Sequence, residues 1–266
     1  MAEFINTIDV LGDVAVLDSL IERTITEFKD DQLTKVGSSA FAYCTALTEV
    51  DLPNVTELRA MAFLNCKSLE SVNLPELTTL GNTVESIASR LFENCTSLRS
   101  ISLPKLTILT QAIFRGCTAL ENIYLPEADA KGIMGGVNFG TELFGNCKSL
   151  KTINLPKATG FSNAFDNCTA LEMADFGAVK SFGNKFLKCT SLISLILRTP
   201  SVATLSGSHF SDTPIASGTG YIYVPRILVD SYKTATNWST YADQFRALED
   251  YTVDGTTTGE LDETKI

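Results

Sequence analysis

The pattern of hydrophobic and polar positions in this chain repeats along most of its length. Each copy has a phenylalanine, a cysteine three residues later and a leucine three residues after that, and the seven cysteines are separated by 22, 29, 22, 30, 21 and 21 residues. The seven copies are centred on Phe41/Cys44, Phe63/Cys66, Phe92/Cys95, Phe114/Cys117, Phe144/Cys147, Phe165/Cys168 and Phe186/Cys189. An eighth, degenerate copy runs from Phe210, with Thr213 in place of the cysteine, to Pro225. A period of this length predicts a solenoid, in which each unit packs against its neighbours.

Each copy predicts one strand and one outer turn. After the cysteine, the stretch at residues 69–74 alternates apolar and polar positions, as a half-buried strand does. A proline ends the strand in the first five copies, because it cannot donate to a ladder of hydrogen bonds. Gly177 and Arg198 take its place in the next two copies. The Ala-Phe-x-x-Cys stretch has the spacing of a short helical turn on the outer side.

The repeated unit, A-F-x-x-C-[TK]-[AS]-L-x-x-[IV]-x-L-P, closely resembles the BspA-like (treponemal-type) leucine-rich repeat, over residues 33–225. The resemblance implies an α/β repeat solenoid, right-handed and curved, of about eight rungs. Its parallel strands would line the concave face and its helical turns the outside. It also implies bacterial surface adhesion and binding to host proteins or glycans.

The remaining segments are expected to cover the two ends, since the outermost rungs of a solenoid otherwise expose an apolar face. Residues 1–32 are assigned to an N-terminal cap with a helix over 14–28, and residues 226–251 to a helical C-terminal cap. Trp238 is interpreted as a cap residue, with a ligand platform as its alternative role. Residues 252–266 are polar and rich in glycine and threonine, which predicts a disordered tail.

Two insertions interrupt the period, one of seven residues within 81–90 and one of eight residues within 130–141. Insertions in solenoids form loops that often carry function. Both follow a strand's proline and precede the next phenylalanine, so we expect them to emerge on the same edge.

The seven cysteines are interpreted as a structural ladder. Zinc sites need closely spaced ligands such as C-x₂-C, which the chain lacks, and seven cysteines cannot all pair in disulfides. One cysteine at the same position of every rung acts as a small buried hydrophobe. Free buried thiols are tolerated best in a chain that folds in a reducing compartment.

Charge and motifs disfavour most catalytic and nucleic-acid functions. The net charge of −10 lies at the two ends, because residues 32–249 carry 18 acidic and 18 basic residues. The single histidine, His209, lies among turn-forming residues, and no G-x-S-x-G or nucleotide-binding glycine motif occurs. We therefore predict a non-enzymatic protein without cofactor or metal, without a nucleic-acid partner and without membrane insertion.

The concave face holds the candidate binding residues. Strand alternation places short polar side chains outward in the early rungs, and larger apolar or aromatic ones later. Exposed apolar groups in a row often mark a contact surface. The candidates are Tyr124, Asn154, Met173, Asp175, Ile196, Tyr221 and Tyr223. Packing against the C-terminal cap is the alternative role of the last two tyrosines.

The leading hypothesis is a recognition or adhesion module, at a bacterial cell surface or secreted, whose concave face binds a protein or a glycan. The first residues carry acids where a secretory signal carries lysine or arginine, so no signal peptide is visible. The alternative is therefore a cytoplasmic or virion-associated protein, such as a receptor binder of a phage or prophage tail.

Overall fold

The computed structural model describes residues 24–80, 90–129, 142–183, 186–206, 209–253 and 256–257. Residues 14–23 of the expected N-terminal helix and almost all of the two insertions lie outside the described residues. The end of that expected helix is wrong, because residues 27–28 belong to a strand, Glu27–Lys29.

Short strands recur along the whole of the described chain. In chain order they are β1 (Glu27–Lys29), β2 (Lys35–Val36), β3 (Glu49–Asp51), β4 (Glu57–Leu58), β5 (Ser71–Asn73), β6 (Thr79–Leu80), β7 (Ser100–Ser102), β8 (Asn122–Tyr124), β9 (Thr152–Leu155), β10 (Gly160–Ser162), β11 (Met173–Phe176), β12 (Ser181–Gly183), β13 (Ser194–Leu197), β14 (Thr204–Leu205), β15 (Tyr221–Val224), β16 (Phe245–Ala247), β17 (Thr252–Val253) and β18 (Thr256–Thr257). The α-helices of the described residues are α1 (Pro214–Ser217) and α2 (Val229–Thr234), and 3-10 turns lie at Arg226–Leu228, Trp238–Gln244 and Leu248–Asp250.

One strand from each copy joins a parallel ladder. Its hydrogen-bonded sheets have the orders β1-β3-β5, β7-β8 and β9-β11-β13-β15-β16. Equivalent residues of successive copies pair in register, as Val50 does with Val72 and Ala174 with Leu195. The ladder is divided between β5 and β7 and between β8 and β9, which are the two places where the insertions enter the chain. We call the outward surface of this ladder the strand face.

A second ladder of shorter strands runs along another side, in the orders β2-β4-β6 and β10-β12-β14. Its inward residues, such as Val36, Leu58 and Leu80, are buried in the same core as those of the first ladder. The predicted solenoid of stacked parallel strands is therefore confirmed. The ladder extends beyond the predicted repeat, because β1 and β16 belong to the segments assigned to the two caps and still pair with β3 and β15.

The Ala-Phe-x-x-Cys stretches form tight turns, so the prediction of short helical turns is wrong for them. In the first six turns two residues are left-handed, as Met61 (φ 60°) and Asn65 (φ 59°) are. The N–H of Phe63 donates to the carbonyl of Leu91 in the next rung (2.9 Å), and the N–H of Asn65 donates to that of Glu93 (2.8 Å). A helix would use these groups within its own turn. Asparagine tolerates left-handed backbone well, which explains why it precedes four of the seven cysteines.

The phenylalanines of the repeat form one continuous stack through the core. Between Phe41 and Phe210, neighbouring rings are nearly parallel, with centroids 5.1 to 5.8 Å apart and interplanar angles of 2 to 11°. All eight rings are buried. Each ring therefore supplies the apolar partner that the next copy needs.

The last rung is covered by part of the predicted C-terminal cap. The ring of Trp238 lies 6.3 Å from that of Phe210, and Tyr241 meets the same ring edge-on at 5.0 Å. The N–H of Ala203 donates to the hydroxyl of Tyr232 (2.9 Å), and its carbonyl accepts from the Trp238 indole (2.7 Å). These side chains satisfy backbone groups that a further rung would otherwise satisfy. Trp238 is fully buried, which suits a cap residue and leaves no exposed ligand platform.

Part of the segment predicted to be a disordered tail has a defined structure. The strands β17 and β18 pair antiparallel, with Thr252 opposite Thr257 and Val253 opposite Thr256. This pairing departs from the expected disorder, because two short strands can satisfy each other's backbone groups even in a polar sequence. The rest of residues 252–266 lies outside the described residues.

Candidate functional site

The strand face presents polar side chains in its first half, which we define as its outward residues from β5 to β8. Its exposed short polar residues are Ser71, Asn73, Ser100, Ser102 and Asn122. Tyr124 ends this series on β8, with 49% of its surface exposed. Asn154, on the next strand, is half-buried. Of the predicted candidates, Tyr124 is thus the most accessible.

The second half of the strand face, which we define as its outward residues from β9 to β16, is covered from outside. Asp175 and Ile196 are fully buried, so the prediction that they belong to an exposed contact surface is wrong. Strand alternation assigns both to the outward side, where Ile196 pairs in register with Asp175 and Tyr223. Met173, Tyr221 and Tyr223 are half-buried. A residue outside the repeat, Tyr251, contacts this part of the strand face.

Tyr251 lies over this half of the strand face. Its ring meets that of Tyr223 edge-on, with centroids 4.6 Å apart. Its hydroxyl donates to the Sδ of Met173 at 3.2 Å and is hydrogen-bonded to Ser194. Burial raises the pKa of Tyr251, the bond to Ser194 opposes this shift, and the charge of Asp175 adds to it. We call Met173, Ser194 and Tyr223 the tyrosine slot.

A buried ion pair lies close to the tyrosine slot. The Arg198 guanidinium donates from Nε to Oδ1 of Asp175 (2.9 Å) and from Nη2 to Oδ2 (3.0 Å). Burial raises the pKa of the Asp175 carboxyl, and the bonds and charge of Arg198 oppose the shift. A buried carboxylate is costly without such a partner. Arg198 stands where earlier copies have proline, so this departure from the repeat supplies the cation that Asp175 needs.

The C-terminal edge of the strand face carries positive charge. The guanidinium carbon of Arg246, on β16, lies 4.3 Å from the ring centroid of Tyr221. This geometry is that of a cation–π contact, which holds the cation over the ring. Tyr221 in turn meets Tyr223 edge-on at 6.4 Å, so the aromatic residues of β15 link Arg246 to the tyrosine slot.

The seven cysteines are buried and none is in a disulfide. From Cys66 onward, each thiol donates to the backbone carbonyl of the phenylalanine one rung earlier, over sulfur–oxygen distances of 3.0 to 3.2 Å. Burial raises the pKa of these thiols, to about 12 at Cys117 and Cys189. A thiol that stays protonated is a poor nucleophile and a poor metal ligand.

The surroundings of His209 and of the possible metal ligands can be described for the part of the chain that the structure covers. His209 is buried, with Nε2 2.5 Å from the carbonyl oxygen of Ser206. Across the described ranges, histidine, cysteine and carboxylate side chains form no group of three or more that could hold a metal ion. None of the helices described there is long and apolar enough to cross a membrane.

Stacked parallel strands with one leucine-rich unit per rung define the class of protein: this is a leucine-rich-repeat solenoid. The chain belongs to the BspA-type leucine-rich repeat family, whose sequence model matches six copies over residues 6–83, 76–137 and 135–227. This repeat family and fold are typically non-enzymatic and suggest a binding or recognition module.

Three solved structures illustrate what the chain is similar to. A leucine rich cell surface protein from Faecalibacterium prausnitzii is 19% identical, with 76% of this chain and 73% of that chain covered and a TM-score of 0.40. A leucine-rich repeat protein from Bacteroides ovatus is 17% identical, with coverages of 85% and 84% and a TM-score of 0.30. An internalin from Listeria monocytogenes is 15% identical, with coverages of 85% and 71% and a TM-score of 0.38. The search of curated proteins found no match.

Proposed function

We propose that this chain is a recognition module of a bacterial surface or secreted protein, and that it binds a protein or a glycan through the first half of the strand face. Membership of a repeat family associated with binding supports the general role. The observation that carries the proposal is Tyr124, which is half exposed among exposed serine and asparagine side chains.

The chemistry of this surface suits recognition. A tyrosine offers a large contact area for little lost side-chain entropy, and its hydroxyl still forms hydrogen bonds. The surrounding serines and asparagines supply further donors and acceptors. Ser102 and Tyr124 are paired in register on hydrogen-bonded strands, so these groups are held in place before a ligand arrives.

Arrays of glycans and of proteins, probed with the labelled full chain, test the proposal. The best binder is then titrated against Tyr124→Ala and against Tyr43→Ala. Tyr43 is the matched control, since it is also 49% exposed but lies in the turn before Cys44, away from the strand face. We expect Tyr124→Ala to weaken binding by about 1 kcal/mol or more and Tyr43→Ala to change little. A chain that binds nothing, or a larger effect of Tyr43→Ala, contradicts the proposal.

Receptor binding by a phage or prophage tail is the second candidate function. The seven buried free thiols favour it, because free thiols persist best in a chain that folds in a reducing compartment. The coding region distinguishes the two: a secretory signal upstream supports the surface protein, and neighbouring tail genes support the virion component.

A further inference from the structure

Among the residues that the structure describes, the second half of the strand face is covered by a tyrosine and the first half is left exposed. In the first half the outward side chains are exposed, whereas Asp175 and Ile196 in the second half are fully buried. Tyr251, itself 9% exposed, lies over this half, 78 residues along the chain from Met173. It is not needed to close the end of the stack, since Trp238 and Tyr241 cover the ring of Phe210.

Exposed polar contacts hold Tyr251 in position. Just before it, the Glu249 carboxylate accepts from the backbone N–H of Arg226, at 3.2 and 3.0 Å. The Asp250 carboxylate pairs with the Arg226 guanidinium, and both side chains of this pair are more than half exposed. Ion pairs in solvent contribute little to stability. Tyr251 therefore occupies a fitted site, and the side-chain contacts that precede it are exposed to solvent.

The site offers a matching contact for each part of a tyrosine. Tyr223 presents its ring edge-on to the aromatic ring, Met173 offers a sulfur as acceptor for the hydroxyl, and Ser194 adds a hydrogen bond. Arg226 beside the site already pairs with two carboxylates that precede the tyrosine. An acidic pair followed by tyrosine is thus the sequence that these contacts fit.

We propose that the tyrosine slot is a binding site for a tyrosine that follows an acidic pair in a segment of a partner protein, and that Tyr251 fills this slot until such a segment displaces it. The inference rests on the proposed recognition role of the strand face. It adds a second binding site, in the half of that face that Tyr251 covers. Because Tyr251 belongs to the same chain as the slot, it competes with a partner at an effective concentration of the order of mM. A weakly binding partner is therefore kept out of the slot, and a tightly binding one can displace Tyr251.

A synthetic peptide with the sequence of residues 248–257, labelled with a fluorophore, probes the slot in the full chain. Its binding to the wild-type protein and to Tyr251→Ala is measured by fluorescence anisotropy, with the same peptide carrying Tyr251→Ala as the control ligand. We expect the tyrosine peptide to bind the Tyr251→Ala protein at least about tenfold more tightly than the wild type, because the competing side chain is gone. The alanine peptide should bind neither protein.

A second variant tests the same inference without removing the Tyr251 side chain, in case Tyr251→Ala disturbs folding. Asp250→Ala breaks the anchor at Arg226 and leaves the slot and Tyr251 intact, so it should also bind the tyrosine peptide more tightly than the wild type does. Tyr43→Ala, in the turn of the first copy and away from the slot, should leave peptide binding unchanged. Trp238 fluorescence and thermal melting show whether each variant keeps its cap.

Several outcomes overturn the inference. Equal binding by wild type and both variants means that Tyr251 does not compete for the site, and equal binding of the two peptides means that the slot does not select tyrosine. Concentration-dependent dimerisation of the wild type that Tyr251→Ala abolishes makes a second copy of this chain the occupant. Failure of the peptide to bind, while an array ligand still depends on Tyr124, refutes the tyrosine slot and leaves the proposed function standing.

Discussion

Replacing Cys117 by alanine should cost stability at neutral pH, and the cost should shrink as the pH rises. At pH 7 the variant loses the bond from Sγ to the carbonyl of Phe92 (3.1 Å) and leaves a small cavity in a fully buried site. Together these losses amount to about 1–2 kcal/mol.

The pH dependence follows from the buried thiol of the wild type. Burial raises the pKa of Cys117 from 9.0 to about 12, so the folded chain keeps a proton that the unfolded chain releases. The folded state therefore binds more protons above pH 9, and its stability falls as the pH rises through this window. For one thiol the loss is about 1.4 kcal/mol at pH 10. Cys117→Ala has no such thiol, so the gap between the two proteins should close by this amount.

Urea unfolding followed by Trp238 fluorescence, under reducing conditions at several pH values between 7 and 10, measures this gap. Thr213→Val is the matched control, because Thr213 takes the cysteine's place in the eighth copy and donates to the carbonyl of Phe210 (2.7 Å) without a thiol. Its deficit should not change over the same range. A Cys117→Ala deficit that is constant from pH 7 to pH 10 would show that the thiol is not desolvated and would refute the reasoning.

Two further substitutions test the positions where the repeat loses its proline, each measured by urea unfolding. Arg198→Met should lower the free energy of unfolding by about 3–5 kcal/mol, because it leaves the buried Asp175 carboxylate unpaired. Adding Asp175→Leu should restore most of this stability, and equal costs for the single and the double variant would contradict the reasoning. Gly177→Ala should cost about 1–3 kcal/mol, since a Cβ there would lie 1.9 Å from the carbonyl oxygen of Pro156. Gly160→Ala is its control, as the nearest atom there is at 3.6 Å; if both cost the same, the close approach at Gly177 is not the cause.

The features that recur in every copy could be predicted from the sequence. One phenylalanine and one cysteine per rung indicate a stack and a buried ladder, because a rung can bury these side chains only against its neighbours. The spacing of apolar residues does not predict the conformation of the outer turn, although the residue types there carry a signal. Asparagine stands immediately before Cys66, Cys95, Cys147 and Cys168, and glycine before Cys117, and these residue types tolerate left-handed backbone.

The covering of the strand face could not be predicted from the repeat. Alternation assigns Asp175 and Ile196 to the outward side, but it is a local rule and gives no information about a segment far along the chain. Tyr251 lies outside every copy of the repeat, so nothing in the period connects it to Met173. The sequence marks Arg198 only as the replacement of a proline, because its partner Asp175 lies on β11, whose pairing with β13 the repeat pattern does not specify residue by residue.

Tyr124 and Tyr43 allow the most direct test of the strand face as the ligand-binding surface. Hydroxyl-radical footprinting with mass spectrometry reports the accessibility of individual side chains, and Tyr124 and Tyr43 begin equally exposed at 49%. With the best array ligand bound, we predict that oxidation of Tyr124 falls and that oxidation of Tyr43 stays as in the free chain. Protection of Tyr43 with Tyr124 unchanged would place the ligand on the turns that precede the cysteines and contradict the account.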